Sequence, residues 1–238
     1  MRYTLISLLL LSTLYTYSQN VTSSSGTEAQ ENLRELASMS GTGNVTTFDN
    51  RYQGVKGSPF IYEDWKAGEV YTTKNERVFF NDMNYNCFDD EIAYIEPASN
   101  RTMVINRFVV DFFIIYAADD TITFVPIKLS EKSQEVFAQL MYNKKSKVYK
   151  VYGKEFVRAS YEGGYSANRP YDEFVDKSDL YFMKHDEKVL YKVKGSKKYM
   201  IAAFPDHKDA ISKFIKANGL KFKEDSDVIA LLTYFDGL

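Results

Sequence analysis

The sequence predicts a mainly β protein: a curved antiparallel meander sheet followed by a small cap of two to three C-terminal helices. Short aromatic and β-branched runs separated by polar turns occupy most of residues 55–193, a spacing typical of antiparallel strands. Tyrosine and phenylalanine, which favour strands, number 19 and 17. After Pro205 the apolar residues recur at helical spacing instead.

The N-terminus has the three regions of a secretory signal peptide. One positive charge at Arg2 precedes an apolar run of about ten residues, and small residues stand at Thr16 and Ser18 before Gln19. The run is shorter than the roughly 20 apolar residues of a membrane-spanning helix, and no apolar segment of that length occurs elsewhere in the sequence. We therefore expect cleavage after Ser18, and export of a soluble chain without a transmembrane span to the periplasm or the extracellular space.

Beyond the signal peptide (1–18), the sequence divides into a leader and one domain. Residues 19–53 are rich in Ser, Thr, Gly and Asn and contain one weakly amphipathic piece, which predicts a flexible leader. Residues 54–238 are predicted to form a single β-rich domain that ends in helices at about 197–236.

Seven strands are predicted in the first half of this domain. They cover residues 69–73, 77–81, 84–88, 92–95, 102–106, 109–116 and 121–127. The intervening turns carry Asn and Asp, which favour turn conformations. Segment 109–116 is apolar except for Asp111, a pattern that predicts a strand buried on both faces.

The second half predicts two hairpins and the helical cap. Residues 134–142 fit a helix or a strand; with 147–157 they are interpreted as a long hairpin, and 160–171 as a loop. A second hairpin pairs 179–184 with 188–193. Helices are predicted at 197–204, from Asp206 as N-cap to Asn218-Gly219, and after Ser226. Their amphipathic faces are expected to pack against the edge or the open face of the sheet.

Composition excludes several classes of function. Without residues 1–18 the chain has 29 basic and 32 acidic residues, so it lacks the basic surplus that attracts nucleic acid. Its single cysteine, Cys87, cannot form an intramolecular disulfide and is expected to be a small buried hydrophobe. His185 and His207 lie far apart and lack the ligand spacing of a zinc site.

Three short segments contain chemically competent side chains, each with a structural alternative. Residues 57–59 (Gly-Ser-Pro) lack the pattern of a nucleophile elbow, and Pro59 is interpreted as leading into the first strand. The acids 89–91 (Asp-Asp-Glu) offer oxygen ligands to calcium but lack the alternation of a calcium loop, which favours a solvated turn. The pair 63–64 (Glu-Asp) beside Trp65 resembles the acid pair of a glycosidase, although adjacent acids are common in loops.

Lysines interleave with aromatic and aliphatic residues in 144–150 and 188–198. On a strand this alternation would place the lysines on one solvated face and the apolar residues on the other. Contact with anionic lipid headgroups or polysaccharide is the functional alternative. Likewise, the many aromatic residues indicate a sheet-rich fold or, alternatively, a stacking surface for sugars. The sequons at Asn20, Asn44 and Asn100 would matter only in a eukaryotic secretory pathway.

Residues 57–60 (Gly-Ser-Pro-Phe) and 64–68 (Asp-Trp-Lys-Ala-Gly) resemble a group of uncharacterised exported proteins of Bacteroidota. The order of 171–174 (Tyr-Asp-Glu-Phe), a hairpin, 204–206 (Phe-Pro-Asp) and two helices is similar to theirs as well, as is cleavage before Gln19. The resemblance covers most of residues 54–236. It implies an envelope or secreted location and no assigned activity, so it identifies no functional residue.

The sequence predicts no catalytic, cofactor-binding or metal-binding residue and no cofactor. The leading hypothesis is an exported, non-enzymatic envelope or secreted protein that acts by ligand binding or protein interaction; an envelope protein, a lipid and a glycan are the candidate partners. Its specific version is a ligand-carrying β-cup with a large apolar cavity between sheet and helices. The alternatives are a glycan-acting envelope hydrolase with carboxylates across an aromatic groove, and a structural subunit with a solid core and an exposed apolar patch.

Overall fold

The structure, a computed structural model, describes residues 45–49, 51–52, 54–117, 120–160, 171–185 and 187–238. The predicted signal peptide, most of the predicted leader and residues 161–170 of the predicted loop lie outside these ranges.

Eleven of the described strands form one antiparallel sheet. They are β1 (Val45–Thr47), β2 (Lys66–Thr72), β3 (Arg77–Asn86), β4 (Glu91–Glu96), β5 (Arg101–Ile105), β6 (Val110–Ala117), β7 (Asp120–Lys128), β8 (Glu135–Asn143), β9 (Lys147–Val151), β12 (Asp179–Met183) and β13 (Tyr191–Lys192). Their order is β1-β5-β4-β3-β2-β6-β7-β8-β9-β12-β13, so the sheet is not closed. Strands β10 (Lys154–Val157) and β11 (Glu173–Asp176) form a separate two-stranded sheet. The predicted mainly β class is confirmed.

Short connections require the sheet to curl. The link between β5 and β6 is only residues 106–109 and contains a 3-10 turn, so it spans about 13 Å. In a flat sheet these strands, four positions apart, would be separated by about 19 Å. Contacts across the curl agree, since the Tyr85 hydroxyl on β3 lies 3.4 Å from the Phe137 carbonyl oxygen on β8. The expected curvature is therefore present, but the chain forms two meanders that meet where β2 pairs with β6.

Several predicted strands have different bounds in the structure. Segments 77–81 and 84–88 are one strand, β3, because a register shift opposite Gly68 lets the pairing with β2 continue. A Cβ at Gly68 would lie 2.5 Å from the Ile114 carbonyl oxygen, so the close approach of β6 requires glycine there. Segment 147–157 is two strands, because β10 leaves the main sheet at Gly153 to pair with β11.

The N-terminal boundary of the sheet also differs from the prediction. Val45–Thr47, inside the range assigned to the flexible leader, pair with residues 103–105 of β5 as an edge strand. This part of the predicted leader is therefore sheet, because the unpaired edge of β5 offers backbone hydrogen-bonding groups to a short extended segment.

Three helices follow the sheet, as predicted: α1 (Lys197–Ala202), α2 (Lys208–Ala217) and α3 (Asp225–Phe235). The predicted N-cap Asp206 instead lies in the 3-10 turn Pro205–His207, and α2 begins after it. Gly219 has φ +64°, which fits the predicted left-handed stop after α2.

The described residues form two large apolar clusters on one side of the sheet. The first fills the curl of β2 to β8 and includes Tyr85, Phe113, Phe124 and Phe137. The second lies between the three helices and strands β8, β9 and β12. We refer to this side as the inner face of the sheet and to the opposite side as the outer face.

Candidate interaction surface

The acids that suggested a glycosidase do not face each other across a groove. Glu63 and Asp64 are exposed neighbours on the loop before β2, and the Asp64 carbonyl oxygen accepts a hydrogen bond from Asn84 Nδ2 at 3.4 Å. Trp65 beside them is half-buried, with its ring 5.4 Å from that of Phe60. The structure therefore favours the alternative interpretation, in which Glu63 and Asp64 are adjacent acids of an ordinary loop.

The acidic turn between β3 and β4 is only partly solvated. Asp89 is exposed, but Asp90 accepts hydrogen bonds from the Tyr85 hydroxyl at 2.6 Å and from the Phe137 N–H at 3.1 Å, and forms an ion pair with Arg107. The solvated-turn interpretation is thus wrong for Asp90, whose carboxylate joins β3 to β8 across the curl. Within the described ranges, no group of three or more His, Cys, Asp or Glu side chains is placed to hold a metal ion.

The two other reactive side chains have structural surroundings. Cys87 is 7% exposed, and burial raises the pKa of its thiol to about 12, so the reactive thiolate is scarce at neutral pH. Ser58 Oγ accepts a hydrogen bond from the Phe60 N–H at 3.1 Å within a local turn. Cys87 is buried, as predicted.

The sequence did not predict that His185 and His207 would meet. Both imidazole rings contact Phe235, with centroid separations of 4.8 and 5.4 Å, at a surface cleft of about 170 Å³. Glu187 and Asp206 also line this cleft. The C-terminal end of α3 brings these residues together, a tertiary contact for which the sequence has no local signal.

Glu187, one of the two acids that line this cleft, is unsuited to be the general acid of a glycosidase. Glu187 forms an ion pair with Lys184 at 2.6 Å and accepts a hydrogen bond from the Tyr191 hydroxyl at 2.7 Å. Burial raises the pKa of Glu187, but hydrogen bonds from Lys184 and Tyr191 outweigh burial and hold it below its usual range. The general acid of a glycosidase needs a raised pKa instead.

A serine, a histidine and an aspartate meet behind the cleft without forming a catalytic triad. Ser146 is fully buried, and both its hydroxyl and its N–H donate hydrogen bonds to the Asp236 carboxylate. His185 Nδ1 lies 3.9 Å from the same carboxylate. A nucleophilic serine must be accessible and must donate its hydrogen bond to the imidazole. The Tyr142 hydroxyl also donates a hydrogen bond to Asp236 at 2.9 Å. The hydrogen bonds to Asp236 therefore connect the end of α3 to β8 and to the β8–β9 turn.

The space between helices and sheet, where a carrier protein would have its cavity, is filled by side chains. Seven residues of the second apolar cluster, which lies between the helices and the sheet, have no exposed surface: Val148, Phe182, Met200, Ile211, Val228, Leu231 and Leu232. This packing is that of a solid core.

The outer face of the same strands carries a third apolar cluster, which we call the outer patch. Its ten residues are Val125, Ile127, Leu129, Val136, Ala138, Leu140, Tyr149, Val151, Met183 and Leu190. Three of them (Ile127, Ala138 and Tyr149) are buried between their neighbours, and the other seven are half-buried. None lies on a helix, and no helix residue belongs to the cluster.

Beyond the outer patch, the outer face carries polar groups together with the half-buried Phe112, Ile114 and Tyr116 of β6. Thr121 and Thr123 occupy the outer positions of β7 before Val125. On β2, the buried Glu69 forms an ion pair with Arg77 and accepts a hydrogen bond from the Tyr71 hydroxyl at 2.9 Å. These hydrogen bonds, with Arg77 the largest contributor, outweigh burial and lower the pKa of Glu69, so this carboxylate stays charged.

Two predictions about strand faces are wrong. On β6, the predicted burial on both faces is absent, because the outer residues Phe112, Ile114 and Tyr116 are only half-buried. In 147–151 the lysines do not share a face: Lys150 reaches Asp225 on the inner side at 2.7 Å, while odd-numbered Lys147 is on the outer side. Lys192 of the second lysine-rich segment forms an ion pair with Asp179 at 2.6 Å.

Comparison with protein-family models, curated proteins and solved structures found no match. The resemblance to exported Bacteroidota proteins thus stays a prediction. Among the described residues, no helix combines the length and apolarity that a membrane crossing requires.

Proposed function

We propose that this chain is an exported, non-enzymatic envelope or secreted protein that binds another protein through the outer patch. The apolar surface of β7, β8, β9 and β12, which none of the described helices covers, carries the proposal. Strands that are apolar on both faces normally have a packed layer on each side. The described helices cover only the inner side, so a partner is the natural source of the second layer.

The chemistry of the outer patch favours a protein partner over a lipid or a glycan. Its members are aliphatic apart from Tyr149, beside which Tyr181 is paired on β12, so it has few of the aromatic and polar groups that recognise sugars. On these strands and the neighbouring β13, the outer positions carry charge only at the borders, at Lys147, Asp179 and Lys192, which gives no basic field for anionic headgroups. Apolar surface with a sparse charged border is typical of protein interfaces.

Two competing functions have less support in the same observations. The filled space between helices and sheet disfavours the ligand-carrying cup, and the lowered pKa of Glu187 disfavours a glycan hydrolase. The third, a structural subunit, predicts the same solid core and apolar patch and differs from the proposed protein only in having a permanent partner. The location rests on the predicted signal peptide, and mass spectrometry of the exported chain tests it: we expect an N-terminus at Gln19.

Affinity capture with a matched pair of variants tests the proposal. The tagged mature chain (19–238) is incubated with envelope extract of its source, and bound proteins and lipids are identified by mass spectrometry. Leu140→Lys places a charge within the outer patch, whereas Thr121→Lys places the same charge at an exposed outer position of β7 beyond it. We expect a protein that the unsubstituted chain and Thr121→Lys retain and Leu140→Lys loses. Equal capture by both variants, or recovery of lipid alone, would contradict the proposal.

A further inference from the structure

We propose that the partner is a second copy of this chain, with the outer patches of two copies packed face to face across a two-fold axis. This inference rests on the proposed function, because it names the partner of the same surface. Two features of the outer face support it, the arrangement of its side chains and the position of its charges, and its area sets the expected strength of association.

The side chains of the outer patch form rows across neighbouring strands, as on the inner faces of a β-sandwich. Val125 on β7 is paired with Ala138 on β8, Ile127 is paired with Val136, and Leu140 on β8 is paired with Tyr149 on β9. Such rows interdigitate with the rows of a second sheet about 10 Å away. The outer patch of another copy is a surface with that pattern.

The border charges of the outer face are complementary to themselves. Lys147 and Asp179 lie at opposite ends of the β9–β12 pair, since Lys147 is paired with Met183 and Asp179 with Val151. A two-fold axis that lies in the interface, nearly perpendicular to the strands and midway between Lys147 and Asp179, reverses the strand direction. It therefore places Lys147 of one copy over Asp179 of the second copy, and the reverse contact forms by symmetry. Asp179 Oδ2 already accepts a hydrogen bond from Lys192 of its own copy at 2.6 Å, so Lys147 of the second copy approaches an existing ion pair. Such border contacts, made on both sides, select the register of self-association more than its strength.

The area of the outer patch sets the expected strength. Four strands about 4.8 Å apart and five residues long give about 300 Å² in projection on each copy. Stable complexes bury roughly 1,200–2,000 Å² of accessible surface in total, so contact through this patch alone falls in the class of weak, reversible association. We therefore expect a dissociation constant of tens to hundreds of micromolar.

Sedimentation velocity of the mature chain (19–238) from about 5 to 500 µM tests the inference. We expect the weight-average mass to rise towards twice that of the monomer, with the same rise for Thr121→Lys and at least a tenfold weaker association for Leu140→Lys. Circular dichroism and the thermal midpoint establish that both variants are folded. A constant monomer mass, or dimerisation that Leu140→Lys leaves unchanged, would overturn the inference.

A charge exchange tests the register. Lys147→Glu places like charges opposite each other and is expected to weaken dimerisation about five- to tenfold; adding Asp179→Lys restores attraction and should recover most of the loss. If the double variant is as weak as Lys147→Glu alone, the proposed two-fold packing is wrong.

The two experiments separate this inference from the proposed function. A monomeric chain that still captures another protein, and loses it with Leu140→Lys, would contradict the dimer and leave the proposed function intact. A monomer that captures nothing through the outer patch would contradict both.

Discussion

Strands β8, β9 and β12 have two apolar faces with opposite surroundings. On the inner face, Val148 and Phe182 are fully buried under the helices. On the outer face of the same strands, Leu140, Val151 and Met183 are half-buried and, among the described residues, pack with apolar neighbours on the sheet and with Leu190 in the loop after β12. The comparison shows that a strand with two apolar faces needs a packed layer on each face. The described residues supply only the inner layer.

The largest expected effect comes from removing an inner-face ring. Phe182 stacks between Tyr191 and Phe204, with centroid separations of 5.1 and 5.7 Å, and has no exposed surface. Because Phe182→Ala leaves a cavity that α1 and α3 cannot fill, we expect a loss of about 3–5 kcal/mol in the free energy of unfolding. Urea denaturation followed by circular dichroism measures it. A loss below about 1 kcal/mol would mean that the helices are not firmly packed on the sheet.

The next effect concerns the attachment of α3. Asp236→Ala removes the acceptor of the buried Ser146 N–H and of the Tyr142 hydroxyl. Unsatisfied buried donors cost about 1–3 kcal/mol each, so we expect a loss of about 2–4 kcal/mol. Asp236→Asn, which retains one acceptor oxygen, is the matched control and should lose less. Equal losses would show that the carboxylate charge, rather than the hydrogen-bond count, stabilises this end of the helix.

The same carboxylate gives a pH dependence with a definite sign. Burial raises the pKa of Asp236, but hydrogen bonds from Ser146 and Tyr142 and the nearby His185 hold it below its ordinary value of 3.8. A carboxylate with a lowered pKa in the folded state stabilises the fold above its unfolded pKa, and this stabilisation is lost as the pH falls through the folded pKa. Denaturation curves from pH 6 to 2 should therefore show a loss below about pH 4 that is smaller in Asp236→Asn. A parallel pH profile in the variant would assign the loss to other acids.

A pair of valines on one strand compares the two faces directly. Val148 on the inner face of β9 has no exposed surface, whereas Val151 on the outer face is half-buried. Replacing either valine by alanine removes the same atoms. The difference between the two losses in the free energy of unfolding therefore measures the contribution of the layer that covers the inner face. We expect Val148→Ala to cost about 2 kcal/mol and Val151→Ala less than about 1 kcal/mol at low protein concentration. Similar costs at both sites would show that the outer face is also covered in the monomer.

The sequence predicted elements with local signals and missed features that depend on tertiary geometry. Turn residues and the change of apolar period located most strands and all three helices. The register shift opposite Gly68, the edge strand at 45–47 and the meeting of His185 with His207 depend on chain segments far apart in sequence. The outer patch had a partial signal, since 124–127 is apolar throughout and 136–142 is apolar at both odd and even positions apart from Gln139. Periodicity indicates that two faces are apolar, but not which of them the chain itself covers.

The smallest expected effect on stability tests the openness of the outer patch. Val125→Thr exchanges a methyl group for a hydroxyl of similar size at a half-buried outer position of β7. Because water reaches an open face, the hydroxyl keeps its hydration, and we expect a change below about 0.5 kcal/mol in the unfolding of the dilute chain. In a covered site the hydroxyl would lose that hydration, at a cost of about 1–3 kcal/mol. The substitution should therefore cost more as the protein concentration rises into the range where the patch is occupied. A large cost at micromolar concentration would instead show that the folded monomer already covers this face, and the proposed interaction surface would be lost with it.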